Sequence, residues 1–309
     1  MLSAKVKRKL ESLTELVTIP SVIISILSEI DSNENYNVKQ IATLIEQDQA
    51  LTMKVLQVAN SPYYGLTKAI STIDLAIVIL GDNVIKEILI SLLLHQKFFN
   101  RVDNSVFDAK SFWQYSMFCG AASRFLARKF KYKLVSEAFV AGLMHDIGLL
   151  ILMEQFKNNF LKARRLQMNS GYTIIEAEME VFECTHADVG AWIAEKWNFP
   201  DKIVNTLEFH HTPFFIADNE EYADEFILSP KFSDIKYQLA SIVSMAEWFS
   251  FECGLKTWDE QYMQPPYYVS NEFLMDLVDD EYLKPESALL IVKQGILDEY
   301  EKAIQSLTI

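Results

Sequence analysis

Cysteine is scarce in this chain: three in 309 residues, at Cys119, Cys184 and Cys253, with no CxxC pair among them. That spacing argues against a disulfide framework or a zinc ribbon and fits a reducing compartment. Basic charge is short as well, since 28 Lys and Arg stand against 42 Asp and Glu for a net charge of −14. A phosphate backbone would be repelled by that field, so no nucleic-acid partner is expected. The densest basic stretch, KVKRK at Lys5 to Lys9, reads as the solvated face of a first helix. Long apolar runs are missing too. The longest, around Ala138 to Met153, is too short for a bilayer and contains His145 and Asp146. Near the N-terminus Glu11, Thr14, Glu15, Thr18 and Pro20 interrupt any apolar leader segment. The expectation is a cytoplasmic protein with no membrane partner.

Sustained alternation of apolar and polar residues is also absent, so no sheet is expected. Half of the residues are hydrophobic and 23% are charged, enough to fill one large or two small globular cores. What remains is helical periodicity. Val38, Ile41, Ile45, Leu51, Val55, Val58 and Ala59 recur mostly three or four apart, predicting a helix over 38–59 that Asn60-Ser61-Pro62 stops. Ser71 with Asp74 predicts a capping box opening TIDLAIVIL, which Gly81 closes. Asp82 or Asn83 then caps a helix with the stripe Ile85, Ile88, Leu89, Leu92 and Leu93.

The polar segment Arg101 to Asp108 reads as a link to a second helical lobe. Helices are predicted there at roughly Lys110–Phe130, Val135–Met144, Gly148–Gln167, His186–Trp197 and Pro200–His210. Thr212 to Lys236 is expected to be a long connection, with DNEEYADE its solvated part. Helical pattern returns in NEFLMDLV and from Pro285 onward, where Leu289, Leu290, Val292, Ile296 and Tyr300 form a stripe. That last helix caps the N-terminal lobe or forms a homodimer seam; the sequence leaves both open. The tyrosines of ANSPYYG, Tyr63 and Tyr64, either serve a recognition surface or pack between the two lobes and fix the turn before Gly65.

DQALTMKVLQVANSPYYG (Asp48 to Gly65) followed by ISTIDLAIVILG (Ile70 to Gly81) resembles the N-terminal lobe of the HDOD family. The likeness continues in FWQYS at Phe112 to Ser116, AFVAGLMHDIGLLIL at Ala138 to Leu152, HADVGAWIAEKWNFP at His186 to Pro200, and His210-His211. The resemblance implies an all-α, two-lobed helical bundle: an N-terminal helical lobe (1–100) and an HD-phosphohydrolase-like lobe (107–254) within a domain over 1–262. A helical extension, 263–309, packs on that domain. It also implies a bacterial signal-transduction domain related to hydrolases that bind metal in a helical cleft and cleave phosphoesters.

Such hydrolytic sites gather nitrogen and oxygen ligands from several helices, because imidazole and carboxylate together hold first-row divalent ions. By the resemblance His145 and Asp146 match the central pair, His186 a third histidine, and His210-His211 a His-His pair. The first histidine of the pattern falls on Tyr115, a poor ligand for most divalent metals, and the final Asp falls on Glu247. Of the five histidines only His95 lies off these positions.

The candidate metal residues are therefore His145, Asp146, His186, His210, His211 and Glu247, with Tyr115 replacing the first ligand. The mononuclear HD set looks broken, while Asp146, His186, His210 and His211 retain a second-metal set. Structural roles stand beside this. His145-Asp146 is a mutually satisfied buried pair capping the helix near Gly148, His186 bonds a carbonyl, His210 and His211 sit on a helix dipole, and Tyr115 fills the missing ligand's space and hydrogen-bonds to Asp146. No catalytic residue and no cofactor is assigned, and Mn, Fe, Mg or Zn remains an option for the ligand set. The expected function is signalling through a protein partner or a small ligand such as a nucleotide. The alternative is a metal-dependent phosphohydrolase acting on nucleotides or cyclic dinucleotides.

Overall fold

The computed structural model describes residues 4–11, 38–95, 108–212, 238–255, 277–278 and 285–307. No strand occurs among the described residues, and the fold is all-α. The chain divides into two compact units, one of residues 13–101 with 301–309, the other of residues 1–12 with 102–300.

The smaller unit holds α2 (Val38–Glu46), α3 (Gln49–Ala59), a 3₁₀ turn at Pro62–Tyr64, α4 (Ile73–Leu80) and α5 (Asp82–Leu94). The single helix predicted over 38–59 is two. Asp48 breaks it, because its carboxylate accepts from the backbone N–H groups of Ala50 and Leu51 at 2.9 and 3.0 Å and so starts a new helix. Periodicity continues across the break, and Ile41, Ile45, Val55 and Ala59 are all fully buried.

Asn60 ends α3 and ties down the loop beyond it. Its amide donates to Ile70 O at 2.8 Å and accepts from Ile70 N at 2.6 Å. Gly65 closes the 3₁₀ turn at φ 61°. The predicted box at Ser71 does not form: α4 opens at Thr72, one residue later, with no side-chain capping bond. Gly81, at φ 86°, ends α4 and itself occupies the cap position of α5, ahead of Asp82.

The larger unit contains α1 (Ala4–Glu11), α6 (Ala109–Lys129), α7 (Val135–Met144), α8 (Ile147–Gln155) and α9 (Lys157–Ser170). It continues with α10 (Ile174–Phe182), α11 (His186–Lys196), α12 (Asp201–Phe209), α13 (Gln238–Glu252) and most of α14 (Pro285–Leu307). Helix α6 packs on α7 and α13, α8 on α11, and α12 on α7, α11 and α13. The one helix predicted over 148–167 is broken at Phe156 (φ −132°, ψ 40°), whose ring meets Phe182 edge-on. The segment before the break is apolar all round and buried, and the segment after it is amphipathic. Helix α10 lies where no helix was predicted. On α1, Lys7 and Arg8 face solvent while Val6 and Leu10 are buried.

Up to Tyr300, α14 lies along α6: Tyr300 packs on Phe118, and Gly295 leaves room for the Phe125 ring. Glu299 pairs with Arg128 at 2.6 Å, and Lys293 donates to Glu252 O of α13 at 2.8 Å. One stretch of described residues, Val135–Gln155, is long and apolar enough to cross a membrane by length and composition, yet 83% of its window is buried within the protein. It is the pair α7–α8, interrupted at His145-Asp146. The predicted link 101–107, nearly all of the connection after Thr212, and all of NEFLMDLV but Leu277 and Val278 lie outside the described residues.

Candidate metal centre

His145 and Asp146 occupy the break between α7 and α8, with His145 0% and Asp146 3% exposed. Asp146 sits at the cap position of α8 but makes no capping hydrogen bond, so the predicted capping role is not what holds it. Its side chain turns inward instead. Two glycines make the surrounding close approaches possible. A Cβ on Gly142 would overlap the Cys119 carbonyl of α6, and a Cβ on Gly148 would overlap the His186 carbonyl and Gly190 N of α11. The first contact brings Tyr115 of α6 to His145, and the second brings His186 to Asp146.

On one side of the Asp146 carboxylate stands Tyr115, buried, with Oη 3.0 Å from Asp146 Oδ2 and 2.9 Å from His145 Nε2. His145 Nδ1 lies 2.7 Å from Gly142 O, a carbonyl that only accepts, so Nδ1 carries a proton. The Tyr115 hydroxyl has one proton and two neighbours. The arrangement in which every contact is a hydrogen bond has a charged His145 donating from Nε2 to Tyr115 Oη, and Tyr115 donating to Asp146. Burial opposes charge on His145, but Asp146, in charge interaction and hydrogen bonding, raises its pKa above the ordinary histidine value. Burial and then Asp146 push the Tyr115 phenol well above its usual range, so it keeps its proton. Burial alone would raise the Asp146 carboxyl, yet His145 and then the other imidazoles hold it well below the usual carboxylate range.

On the other side, Asp146 Oδ1 lies 3.1 Å from His186 Nε2 and 3.5 Å from His210 Nε2. His186 Nε2 is also 2.8 Å from His211 Nε2. The far nitrogens fix the proton positions. His210 Nδ1 donates to Leu207 O at 2.9 Å, and His186 Nδ1 to Glu178 Oε2 at 2.8 Å. His211 Nδ1 faces Glu247 Oε2 at 3.7 Å.

Burial lowers the His210 pKa to about 4 and, with His210 and His186 adding to it, takes His211 well below the ordinary value. Burial also works against charge on His186, but Glu178 and Asp146 outweigh it and raise that histidine well above the ordinary value. The result is a cluster of four donor atoms, Asp146 Oδ1 and three Nε2 nitrogens, arranged around a single proton on His186. Asp146 Oδ1 and His210 Nε2 are buried with no hydrogen-bond partner.

That is an electron-rich pocket short of positive charge, and a divalent cation fits it. The candidate ligand atoms of Asp146, His186, His210 and His211 lie within 4.8 Å of one another, and each histidine has its other ring nitrogen turned to an oxygen, as metal-bound histidines generally do. Four of the six sequence candidates thus come together. His145 faces Tyr115 with both nitrogens occupied, and Glu247 lies behind His211. The carbonyl partner predicted for His186 is instead the carboxylate of Glu178, a residue the sequence reading did not single out. Its signal was available in part: Thr173 and Glu176 form a capping box at the start of α10, the pattern that announces a helix.

The HDOD domain family model matches residues 16–213 of this chain. An uncharacterized protein of Treponema pallidum (strain Nichols) is 26% identical over 212 residues, 68% of this chain, which spans 40% of the length of that curated relative. Three solved structures share the fold. An HDOD domain protein of unknown function from Geobacter sulfurreducens has a TM-score of 0.70 at 19% identity, covering 97% of this chain and 96% of its own. A Shewanella amazonensis SB2B protein provisionally named a phosphohydrolase has a TM-score of 0.64 at 22% identity, covering 96% and 97%. A Marinobacter aquaeolei VT8 protein provisionally named a signal transduction protein has a TM-score of 0.65 at 19% identity, covering 95% of this chain and 61% of its own.

Proposed function

This chain belongs to the HDOD domain family, and from that membership we propose that it is a signalling domain whose cleft holds one divalent cation and turns no substrate over. The observation carrying this reading is the Tyr115 hydroxyl, 3.0 Å from Asp146 Oδ2 and 2.9 Å from His145 Nε2. A hydrolytic site using both faces of the Asp146 carboxylate needs those two atoms as ligands, and here they are spent on a phenol. Asp146, His186, His210 and His211 would hold the ion, and a set of three imidazoles and a carboxylate suits Zn²⁺, Fe²⁺ or Mn²⁺. A bound cation would supply positive charge that draws an anionic ligand such as a nucleotide.

The chain's own residues restrict that approach. Asp146, His186 and His210 are buried, and among the ligands only His211 keeps part of its side chain exposed, at 18%. His145, Tyr115 and Asp146 form a closed hydrogen-bonded chain with no proton to spare for a leaving group. In this reading the domain works in the bacterial cytoplasm through a protein partner, which senses whether the cleft is filled.

The second reading is a metal-dependent phosphohydrolase acting on nucleotides or cyclic dinucleotides. The name given to the Shewanella amazonensis protein and the intact Asp146–His186–His210–His211 set favour it. Metal analysis of protein purified without chelator, together with a phosphodiesterase assay on bis(p-nitrophenyl) phosphate and a cyclic dinucleotide in added Mn²⁺ or Fe²⁺, decides between them. The expected result is about one metal per chain and no turnover. Turnover that disappears in Asp146→Asn establishes the hydrolase, and a chain that takes up no metal under any condition removes both metal readings.

A further inference from the structure

Glu178 is 1% exposed on α10, a helix whose Glu176, Met179 and Glu180 face solvent. A carboxylate is costly to bury unless its oxygens are satisfied. One oxygen is satisfied twice, and by the same residue: Oε2 accepts from the backbone N–H of His186 at 2.8 Å and from His186 Nδ1 at 2.8 Å. The other oxygen, Oε1, is buried with no hydrogen-bond partner. We infer that Glu178 is the positioning residue of the cleft, fixing the His186 ring with Nδ1–H turned to itself and Nε2 turned to Asp146 Oδ1.

The alternative is a purely structural acceptor for the first turn of α11. That turn is already capped by Thr185 and Asp188, which satisfy each other's backbone N–H groups in a full capping box. A backbone acceptor alone would also not require the His186 ring to share its oxygen. The charged ring must give up one proton to bind a cation, and only loss from Nε2, with Nδ1 left protonated, frees a lone pair towards Asp146 and His211. A carboxylate at Nδ1 selects that tautomer, restricts rotation of the ring and makes Nε2 a stronger donor. The consequence for metal affinity rests on the metal reading given above; the consequence for the ring does not.

Two variants and two measurements test this. Long-range ¹H–¹⁵N correlation spectra of histidine-labelled, metal-free protein report the proton positions on His186, and Co²⁺ titration followed by visible absorption reports the cleft. In the native chain His186 Nδ1 is expected to be protonated and hydrogen-bonded, whether or not Nε2 also carries a proton. Glu178→Ala is expected to lose that preference and to weaken Co²⁺ binding by roughly 10- to 100-fold. Glu178→Gln keeps an acceptor and drops the charge, so it keeps Nδ1 protonated and loses about tenfold in affinity, the low end of that range.

An unchanged His186 pattern and unchanged Co²⁺ affinity in a folded Glu178→Ala overturn the assignment. So does a loss of thermal stability alone, which a structural acceptor would give. Should Glu178→Ala fail to fold, Glu178→Gln decides, and native Co²⁺ affinity in it overturns the assignment. If the native chain takes up no Co²⁺, the metal reading fails, and the spectra alone decide Glu178: Nδ1 protonation persisting in Glu178→Ala overturns it, and its loss supports it.

Discussion

The Tyr115 hydroxyl donates to Asp146 Oδ2 across 3.0 Å while accepting from His145 Nε2 across 2.9 Å, so a single buried phenol joins the two residues of the His-Asp pair. The expected bond from Tyr115 to Asp146 is present, and the contact with His145 makes the phenol a polar keystone of the pair. Tyr115→Phe removes the oxygen and leaves His145 Nε2 and one Asp146 oxygen to face each other across 3.3 Å. The expected cost is about 1–3 kcal/mol, the penalty for unsatisfied buried polar groups, read as a lower denaturant midpoint at unchanged slope. Metal uptake at the opposite face of Asp146 is expected to stay at the native level. A neutral Tyr115→Phe would show that the hydroxyl makes no such bonds.

Tyr115→His tests the same position from the other direction. An imidazole there offers a nitrogen where the phenol offered a protonated oxygen, and it frees His145 Nε2 and Asp146 Oδ2 to act as ligands. Metal content by mass spectrometry is expected to rise from about one to about two ions per chain, each with the imidazole and carboxylate donors such ions prefer. A ratio that stays fixed would mean that something other than Tyr115 limits the cleft to a single ion.

How much of this was legible in the sequence depended on what kind of signal each residue carried. His145, Asp146, His186, His210 and His211 could be picked out because they fall, in order, on the ligand positions that the family resemblance implies, residue types that ligand chemistry restricts. The all-α fold was legible because apolar spacing repeats along almost every segment. Helix breaks were not: Asp48 and Phe156 interrupt helices whose apolar spacing runs on unbroken, and the interruption is set by one side-chain cap and one ring contact. Glu178 was least legible of all. Its role depends on α10 folding back to place one carboxylate at the start of α11, and one glutamate among the four of IIEAEMEVFE carries no mark of burial.

Proton linkage gives the metal-free protein a stability optimum. His210 and His211 have pKa values lowered by burial first, His210 to about 4, so they stay neutral in the fold. As pH falls below about 6.5, the unfolded chain takes up protons at these positions that the folded chain refuses, and stability falls with them. His145 and His186 behave oppositely. Burial opposes their charge, but Asp146 at one and Glu178 at the other raise their pKa values, so the folded chain holds protons that the unfolded one releases above about 6.5. That contribution is complete below the unfolded value and is lost as pH rises through the folded ones. Denaturant midpoints measured in chelator should therefore peak near pH 6.5 and decline on both sides. A midpoint rising steadily from pH 5 to pH 9 would contradict the charged His186.

Gly148 gives the sharpest test that backbone packing, and not only ligand identity, builds the cleft. A Cβ there meets the His186 carbonyl and Gly190 N, both main-chain atoms that no rotamer change can move aside. Gly148→Ala must push α8 away from α11, and inserted volume of this kind costs about 1–3 kcal/mol or more in a packed core. The same displacement draws Asp146 away from His186, so Co²⁺ affinity should fall together with stability. Gly171 provides the control. It ends α9 at φ 72° with open space around its Cβ position, so Gly171→Ala carries only a conformational penalty of about 1 kcal/mol and leaves the cleft untouched. If both variants lose stability and only Gly148→Ala loses Co²⁺, the α8–α11 contact sets the site. Equal Co²⁺ affinity in the two would mean that the ligands find their positions without it.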